Sequence, residues 1–322
     1  MIEILQAMAL TTVQDLGRVG YRRFGVGTAG AMDPVALQVG NLMLGNAADA
    51  AALEINLFPF RARFLHDTAF AVTGADCRPL LDGKPLMPWW AATARAGQEL
   101  SLHAPASAAR AYVCVGGGID VPRVLGSRST QLRGAIGGFH GRMLVKNDVV
   151  PAACYTGASI DFGVLPPEAE LDAPHSERGT LTLRVIPAGE YASFTAASRD
   201  AFWRSDWSVT LQSNRTGYRL AGEGLSLRGA LEMRSYGVVP GLVQVPPSGQ
   251  PIIQMADANV SGGYPKIATV IGADLWRLGQ AAPRTRLRFV ETSAADAVQA
   301  SSQIRAYLER VKRLAARARL DA

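Results

Sequence analysis

The chain has 322 residues, of which 48% are hydrophobic and 19% charged, and its 33 basic and 27 acidic side chains give a net charge of +6. This composition is typical of a globular protein of about two domains, and it excludes a disordered chain and a small disulfide-stapled domain. Three widely spaced cysteines without a C-x-x-C pair argue against a zinc site. No apolar run reaches about 18 residues and no signal-peptide pattern opens the chain, so we expect a cytoplasmic protein without a membrane partner.

The first helix is predicted near residue 34. Asp33 can cap a helix, Pro34 suits the first turn, and apolar residues then follow at helical spacing until Gly45. These signals predict a helix over 34–44.

Most of the remaining pattern predicts strands. Short apolar runs bounded by Gly, Pro, Asp and Asn occur at 68–73, 111–115, 180–186, 208–211, 252–255 and 268–271. Such runs are typical of sandwiches and barrels, not of alternating strands and helices. The predicted fold class is therefore mainly β with few helices.

A linker is predicted at 166–179, because this stretch has three prolines and no apolar periodicity. It separates an N-terminal β-rich lobe, 1–165, from a C-terminal lobe, 180–322.

The C-terminal segment predicts a long amphipathic helix. Its apolar stripe consists of Ile304, Leu308, Val311 and Ala315. Six basic and two acidic residues from Arg305 onward supply +4 of the net charge of +6. They occupy the other faces, as on a solvated helix. The rest of the chain shows no aromatic and basic interleaving, so we expect no nucleic-acid partner.

Two loop segments carry the most concentrated polar chemistry. Residues 213–219 hold two arginines, an asparagine and a tyrosine, which suits the binding of a carboxylate, a phosphate or an amide oxygen. A solvated hairpin is an equally good interpretation. Asp257 precedes the stretch 261–266, in which two glycines allow close backbone approach beside Tyr264 and Lys266.

Weaker motifs have ordinary structural interpretations. Residues 25–30 match G-x-G-x-x-G, but no strand pattern precedes them, which favours a turn-rich loop over a dinucleotide site. The stretches 116–118 and 126–130 suit either an anion-binding nest or tight turns. His140 lies in a glycine-rich setting, although single histidines are usually structural or exposed. No hydrolase motif is present.

Taken together, the chain resembles the allophanate hydrolase subunit 2 family, which includes the second half of biotin-dependent carboxyltransferase domains and the C subunit of bacterial ATP-hydrolysing 5-oxoprolinase. The matching stretches are 11–18, 30–34, 41–46, 52–55, 115–122, 125–130, 214–220, 239–241, 244–247, 249–252 and 262–268. The chain departs from the family pattern at Pro59, Phe60, Thr216 and 259–261. Two of these departures adjoin the polar segments, which leaves the substrate open.

The resemblance implies a cyclophilin-like β-barrel lobe and a subunit of an ATP-dependent complex that hydrolyses 5-oxo-L-proline to L-glutamate. Its partners would be a smaller subunit, homologous to the first half of the carboxyltransferase domain, and a third oxoprolinase subunit. This chain would act on the cyclic amide only with those partners. Two alternatives stay open: biotin-dependent carboxyl transfer to urea or a similar amide, and a non-catalytic protein that regulates a kinase inhibitor.

The site hypothesis assigns catalytic roles to Lys266, Asp257 and Tyr264 and expects no metal. The residues assigned to substrate binding are Arg215, Asn214, Tyr218, Gln244 and His140. Lys266 and Tyr264 would supply a cation and a proton near the oxygen that gains charge, and Asp257 would accept an amide N–H. No nucleotide motif places ATP in this chain.

Overall fold

A computed structural model describes residues 1–106, 108–155, 157, 159–174 and 179–320. The chain divides into two compact units. The first comprises Met1–Val19, Ala29–Leu171 and Ile304–Ala322, and the second comprises Gly20–Thr28 and Asp172–Gln303. The end of the chain thus groups with the first unit, whereas the sequence analysis placed all of 180–322 in the second lobe. The linker at 166–179 stays a prediction, and its residues 175–178 lie outside the described residues.

Short strands dominate both units. Those of the first unit are β1 (Ile2–Gln6), β2 (Thr12–Gln14), β3 (Ala52–Ile55), β4 (Phe60–Phe64), β5 (Thr68–Gly74), β6 (Leu80–Leu81), β7 (Lys84–Pro85), β8 (Trp90–Ala94), β9 (Glu99–Leu102), β10 (Ala111–Val115), β11 (Val149–Val150) and β12 (Asp161–Gly163). Those of the second unit are β13 (Thr180–Pro187), β14 (Trp207–Val209), β15 (Gly217–Ala221), β16 (Tyr236–Gly237), β17 (Leu242–Gln244), β18 (Ile252–Gln254), β19 (Ser261–Gly262), β20 (Lys266–Val270) and β21 (Arg286–Glu291). The α-helices are α1 (Pro34–Met43), α2 (Ala196–Arg204), α3 (Leu275–Gly279) and α4 (Ala294–Leu320).

The first unit contains two six-stranded antiparallel sheets, in the orders β11-β1-β4-β9-β6-β7 and β12-β8-β5-β10-β3-β2. Strand β4 shows why one face of a sheet is buried. Phe60, Ala62 and Phe64 alternate with the outward-facing Arg61 and Arg63. Side chains of both sheets form one apolar core, in which the rings of Phe64 and Phe70 lie 4.9 Å apart.

Helix α1 begins and ends as the sequence predicts. The Oδ1 atom of Asp33 accepts hydrogen bonds from the N–H groups of Val35 and Ala36 at 3.0 and 2.9 Å. The helix packs closely on strand β10, because a Cβ atom added at Gly40 would lie 2.6 Å from the Sγ atom of Cys114. Helix and strand can approach this closely only with glycine at position 40.

The second half of helix α4 is tied to the first unit. Tyr307 is 1% exposed, and its hydroxyl donates to the carbonyl of Leu165 at 2.8 Å. One guanidinium nitrogen of Arg319 donates to the carbonyls of Leu42 and Met43, at the C-terminal end of α1. The bond to Met43 satisfies a carbonyl of the last turn of α1, whereas the Leu42 carbonyl also accepts from the N–H of Gly45.

In the second unit, seven strands close a barrel in the order β13-β20-β17-β18-β15-β14-β21. The pair β13 and β21 is parallel, and the other neighbours are antiparallel. Closure leaves no unpaired sheet edge. The mainly β class, the barrel and the long C-terminal helix are confirmed. Among the described residues, none of the helices combines the length and the apolar character needed to cross a bilayer.

A separate two-stranded sheet stands beside the barrel. Strand β16 pairs antiparallel with β19, with Tyr236 opposite Gly262 and Gly237 opposite Ser261. This small sheet places Tyr236 next to the glycine-rich segment that leads into β20.

Candidate functional site

A cavity of about 330 Å³ opens in the second unit, where the hairpin before β15 faces the segment around β19. The residues that line it are Asn214, Thr216, Gly217, Arg219, Gln244, Ile252, Gln254, Asn259, Ser261, Gly262, Gly263 and Tyr264. The two polar segments from the sequence analysis, 213–219 and 261–266, therefore meet at one hollow. Its volume lies within the usual range for a small-molecule site.

The lining is rich in carboxamides. Four of the twelve lining residues that the structure describes are asparagine or glutamine, and Arg219 is the one charged side chain among them. A carboxamide offers both donors and acceptors without charge. The cavity is therefore suited to a small polar ligand that is itself an amide.

Two buried glutamines form the deepest polar part of this lining. Gln244 on β17 and Gln254 on β18 are each 6% exposed. The Nε2 atom of Gln254 donates to the Oε1 atom of Gln244 at 3.0 Å. Among the described residues, the Nε2 atom of Gln244 has no hydrogen-bond acceptor. A buried donor without an acceptor is rare in folded proteins.

Lys266 lies behind the wall of the cavity. Its side chain is 1% exposed, and its ammonium donates to the carbonyl oxygen of Gly262 at 2.9 Å. The same ammonium lies 3.3 Å from the centre of the Tyr236 ring. Burial lowers the pKa of Lys266 below its ordinary 10.5, and Glu190 opposes that shift. The lysine is thus a buried cation held against a cavity-lining residue.

Glu190 and Tyr236 complete the surroundings of this lysine. The Tyr236 hydroxyl donates to the Glu190 carboxylate at 2.8 Å, and the backbone N–H of Lys266 donates to the same carboxylate at 3.0 Å. Burial and the neighbouring carboxylate raise the pKa of Tyr236 to about 12. The phenol therefore stays protonated at neutral pH and fixes the ring over the ammonium.

Arg215 and Asp257 contact each other and are absent from the cavity lining. The guanidinium donates to both carboxylate oxygens of Asp257, at 3.0 and 3.1 Å, and the two side chains are 7% and 10% exposed. The N–H of Asp257 also donates to the carbonyl of Arg215 at 2.9 Å. This ion pair joins the loops on the two sides of the cavity, and the substrate contacts assigned to the two residues stay a prediction.

Asn214 and Tyr264 lie at the rim. The Oδ1 atom of Asn214 accepts from the N–H groups of Thr216 and Gly217, which fixes the hairpin turn, and the residue lines the cavity. Tyr264 lines the cavity and is 47% exposed. Both can reach a ligand without rearrangement of the barrel.

Tyr218 and His140 lie away from the cavity lining. Tyr218 is 2% exposed, and its hydroxyl donates to the carbonyl of Ala281 at 3.2 Å, as a core tyrosine does. His140 belongs to the first unit, is exposed, and has a backbone φ of 56° beside the ring of Phe139. Neither residue lines the cavity, and the binding roles that the sequence analysis assigned to them stay predictions.

The weaker motifs are structural in the described chain. A 3-10 turn, Arg22–Phe24, precedes Gly25 where a nucleotide-binding motif requires a strand. The hydroxyls of Ser127 and Ser129 donate to the carboxylate of Asp15, each at 2.6 Å, so they stabilise a turn. Among the described residues, no group of three His, Cys, Asp or Glu side chains is placed to hold a metal ion.

Sequence reasoning missed three residues of the site. Gln254 follows two isoleucines and gives no signal beyond strand alternation. Glu190 lies in a turn and Tyr236 in the two-residue strand β16, which is too short to show periodicity. Only the fold shows that they contact Gln244 or Lys266.

Replacing Arg215 with methionine is expected to lower the free energy of unfolding by about 3 kcal/mol, because it leaves the nearly buried Asp257 carboxylate without its partner. Urea denaturation of the purified chain measures this. The matched control is Arg288→Met, whose pair with Asp206 is 48% and 30% exposed and contributes less than about 1 kcal/mol. Equal losses in the two variants would contradict a structural role for the Arg215 pair.

Comparison with known protein families assigns the chain to a class. Residues 24–291 match the family model of the carboxyltransferase domain, subdomain A and B. The chain therefore belongs to the carboxyltransferase-domain family. Its structure is also similar to the crystal structure of the Kluyveromyces lactis urea carboxylase, with a TM-score of 0.87 and 29% sequence identity. That match covers 96% of this chain and 29% of the other.

More specific similarity extends along the full chain. It is 42% identical to the C subunit of 5-oxoprolinase from Escherichia coli over 311 residues, which are 97% of both chains. It is 40% identical to the C subunit of 5-oxoprolinase from Haemophilus influenzae over 314 residues, which are 98% of both chains. These relatives confirm the family resemblance.

Proposed function

We propose that this chain is a subunit of an ATP-dependent 5-oxoprolinase complex, which hydrolyses 5-oxo-L-proline to L-glutamate. The observation that carries the proposal is the similarity to the C subunits of two 5-oxoprolinases, which extends over at least 97% of each chain. Similarity of this extent includes the segments that line the cavity.

The cavity supports a cyclic amide as the ligand. 5-Oxoproline has a planar lactam, which both donates and accepts hydrogen bonds, and one carboxylate. Gln244 and Asn214 match the lactam, and Arg219 at the opening matches the carboxylate. One cationic side chain among the lining residues balances one negative charge on the ligand.

The charge of the cavity lining favours a ligand with one negative charge over ATP. A triphosphate requires several cationic groups or a cradle of backbone N–H groups, whereas Arg219 is the one cation among the described lining residues. We therefore assign ATP to another part of the complex. The partners are a smaller subunit, homologous to the first half of the carboxyltransferase domain, and a third oxoprolinase subunit. This chain is then a hydrolase subunit that acts only in their presence.

The chemistry assigns separate roles to residues of this chain. Water adds to the lactam carbonyl carbon, the C–N bond breaks, the water oxygen stays on the new carboxylate and the ring nitrogen takes up the protons. Tyr264 at the rim is placed to give a proton to that nitrogen. Lys266 supplies positive charge behind the Gly262 wall, where the carbonyl oxygen gains charge. Arg215 and Asp257 hold the loops in register.

Carboxyl transfer from biotin to urea is the second candidate, favoured by the similarity to urea carboxylase at a TM-score of 0.87. Urea is a neutral amide and would suit the carboxamides equally well. It has no carboxylate for Arg219, which favours 5-oxoproline.

The test is reconstitution with the two partner subunits. We expect phosphate release and glutamate formation that depend on 5-oxoproline and on all three chains. Omission of this chain is expected to abolish both. Carboxylation of urea by this chain with a biotin carboxylase, without any 5-oxoproline-dependent phosphate release, would replace the first proposal by the second.

We place this complex in the cytoplasm. The three cysteines are free, and Cys77 and Cys114 are buried thiols. Free buried thiols are typical of a reducing compartment. A reporter fused to the chain and followed by cell fractionation tests the location.

A further inference from the structure

The buried donor of Gln244 is the feature of the cavity that the protein itself leaves unsatisfied. The side chain is 6% exposed, and among the described residues its Nε2 atom has no acceptor. Leaving a buried donor unpaired costs about 1–3 kcal/mol. A ligand oxygen that enters the cavity removes this cost, so the free protein favours a ligand with an acceptor at this point.

Gln254 sets the direction of that donor. Its Nε2 atom donates to the Oε1 atom of Gln244, a residue of the cavity lining, which leaves the nitrogen end of the Gln244 carboxamide unpaired among the described residues. The opposite orientation of Gln244 would set two N–H₂ groups against each other. Gln254 is therefore a positioning residue for Gln244.

The wall beside Gln244 does not supply its acceptor among the described residues. The carbonyl oxygen of Gly262 already accepts from the Lys266 ammonium at 2.9 Å. A Cβ atom added at Gly262 would lie 2.5 Å from the Nε2 atom of Gln244, so the absence of a side chain leaves room for the carboxamide. The Nε2 atom of Gln244 is covered by protein atoms in this structure, and the carboxamide must shift for a ligand to reach it.

We propose that Gln244 donates a hydrogen bond to the lactam carbonyl oxygen of 5-oxoproline and that Gln254 positions it. This inference rests on the proposed function and names the substrate group that the buried donor recognises. An uncharged donor suits a carbonyl oxygen, whereas the carboxylate pairs with Arg219 at the exposed rim. The pair thereby selects lactams over rings of the same size that lack the carbonyl.

The experiment compares Gln244→Met, Gln244→Glu and Gln254→Glu in the complex reconstituted from all three chains. The two Gln244 variants remove the donor. In Gln254→Glu, the new carboxylate draws the Gln244 donor toward itself. We expect kcat/KM for 5-oxoproline to fall about 10-fold to 100-fold in all three. Gln212→Met, at an exposed position outside the cavity lining, is the matched control and is expected to keep the wild-type value.

L-Proline, which lacks the lactam carbonyl, separates recognition from general damage. Its inhibition constant is expected to stay unchanged in Gln244→Met, whereas the KM for 5-oxoproline is expected to rise. The ratio of the proline inhibition constant to the 5-oxoproline KM therefore falls. Melting temperature and copurification with the partners identify variants that do not fold. If one variant fails in this way, the other two carry the test.

Two results would overturn the inference, and they differ from each other. A wild-type complex that hydrolyses 5-oxoproline, with folded Gln244 variants within twofold of it, overturns the role of Gln244 and leaves the function in place. A wild-type complex without any 5-oxoproline-dependent phosphate release overturns the proposed function, and this inference with it.

Discussion

Lys266→Met is expected to lower the turnover of the reconstituted complex about 100-fold or more, because it removes a preorganised cation from behind the Gly262 wall. The free energy of unfolding is expected to stay within about 1 kcal/mol of wild type, since methionine spares the desolvation cost of a buried charge. The substitution should therefore lower turnover without lowering the free energy of unfolding. Steady-state kinetics and urea denaturation of the same preparation measure the two effects.

The exposed Lys312 on helix α4 provides the matched control, and Lys312→Met should keep both values. The pH profile adds an independent check. The pKa of Lys266 lies below 10.5, and the protonated form is the one that supplies charge, so wild-type activity should fall on the alkaline side at a lower pH than a free lysine would dictate. Full activity of Lys266→Met would remove this lysine from the mechanism.

Gly262→Ala is expected to reduce kcat/KM for 5-oxoproline about 100-fold, an effect typical of a site displaced by about 1 Å. The new methyl group would lie 2.5 Å from the Nε2 atom of Gln244, so the carboxamide must move. The backbone φ of Gly262 is not in the positive region, and the loss therefore comes from contact and not from strain. Substrate kinetics with a melting curve of each variant measure the effect.

Gly272→Ala is the matched control, because a Cβ atom there meets nothing within 4 Å. It should keep wild-type kinetics. An active Gly262→Ala complex would show that the Gln244 carboxamide can shift without loss, and would weaken its assignment to the substrate.

The secondary structure could be predicted where local signals are strong. The N-cap at Asp33 and the glycine at position 45 bound helix α1 correctly, and the run at 111–115 coincides with strand β10. Helix α3 has only five residues, too few for helical periodicity to show. The closed barrel rests on pairings such as β13 with β21, which join residues more than 100 positions apart. That architecture entered the sequence analysis through family resemblance alone.

The segments that form the site could be predicted from the sequence, but the contacts between their residues could not. The segments 213–219 and 261–266 are dense in polar groups, and the fold brings them to one cavity. A sequence alone does not show whether two oppositely charged side chains form an ion pair in the fold. Arg215 and Asp257, 42 residues apart, form an ion pair with each other, which the sequence did not predict. Gln254 lies outside both polar segments and thus gave no signal.

The division of helix α4 between the units sets an order for folding during translation. Residues 304–320, which include the buried Tyr307 and Val311, belong to the first unit but are synthesised after every barrel strand. The surface of the first unit that packs against these side chains therefore stays uncovered until the whole barrel has been synthesised. A released chain that ends before residue 304 would contain every barrel strand but an incomplete N-terminal unit, and incompletely packed units of this kind are prone to aggregate.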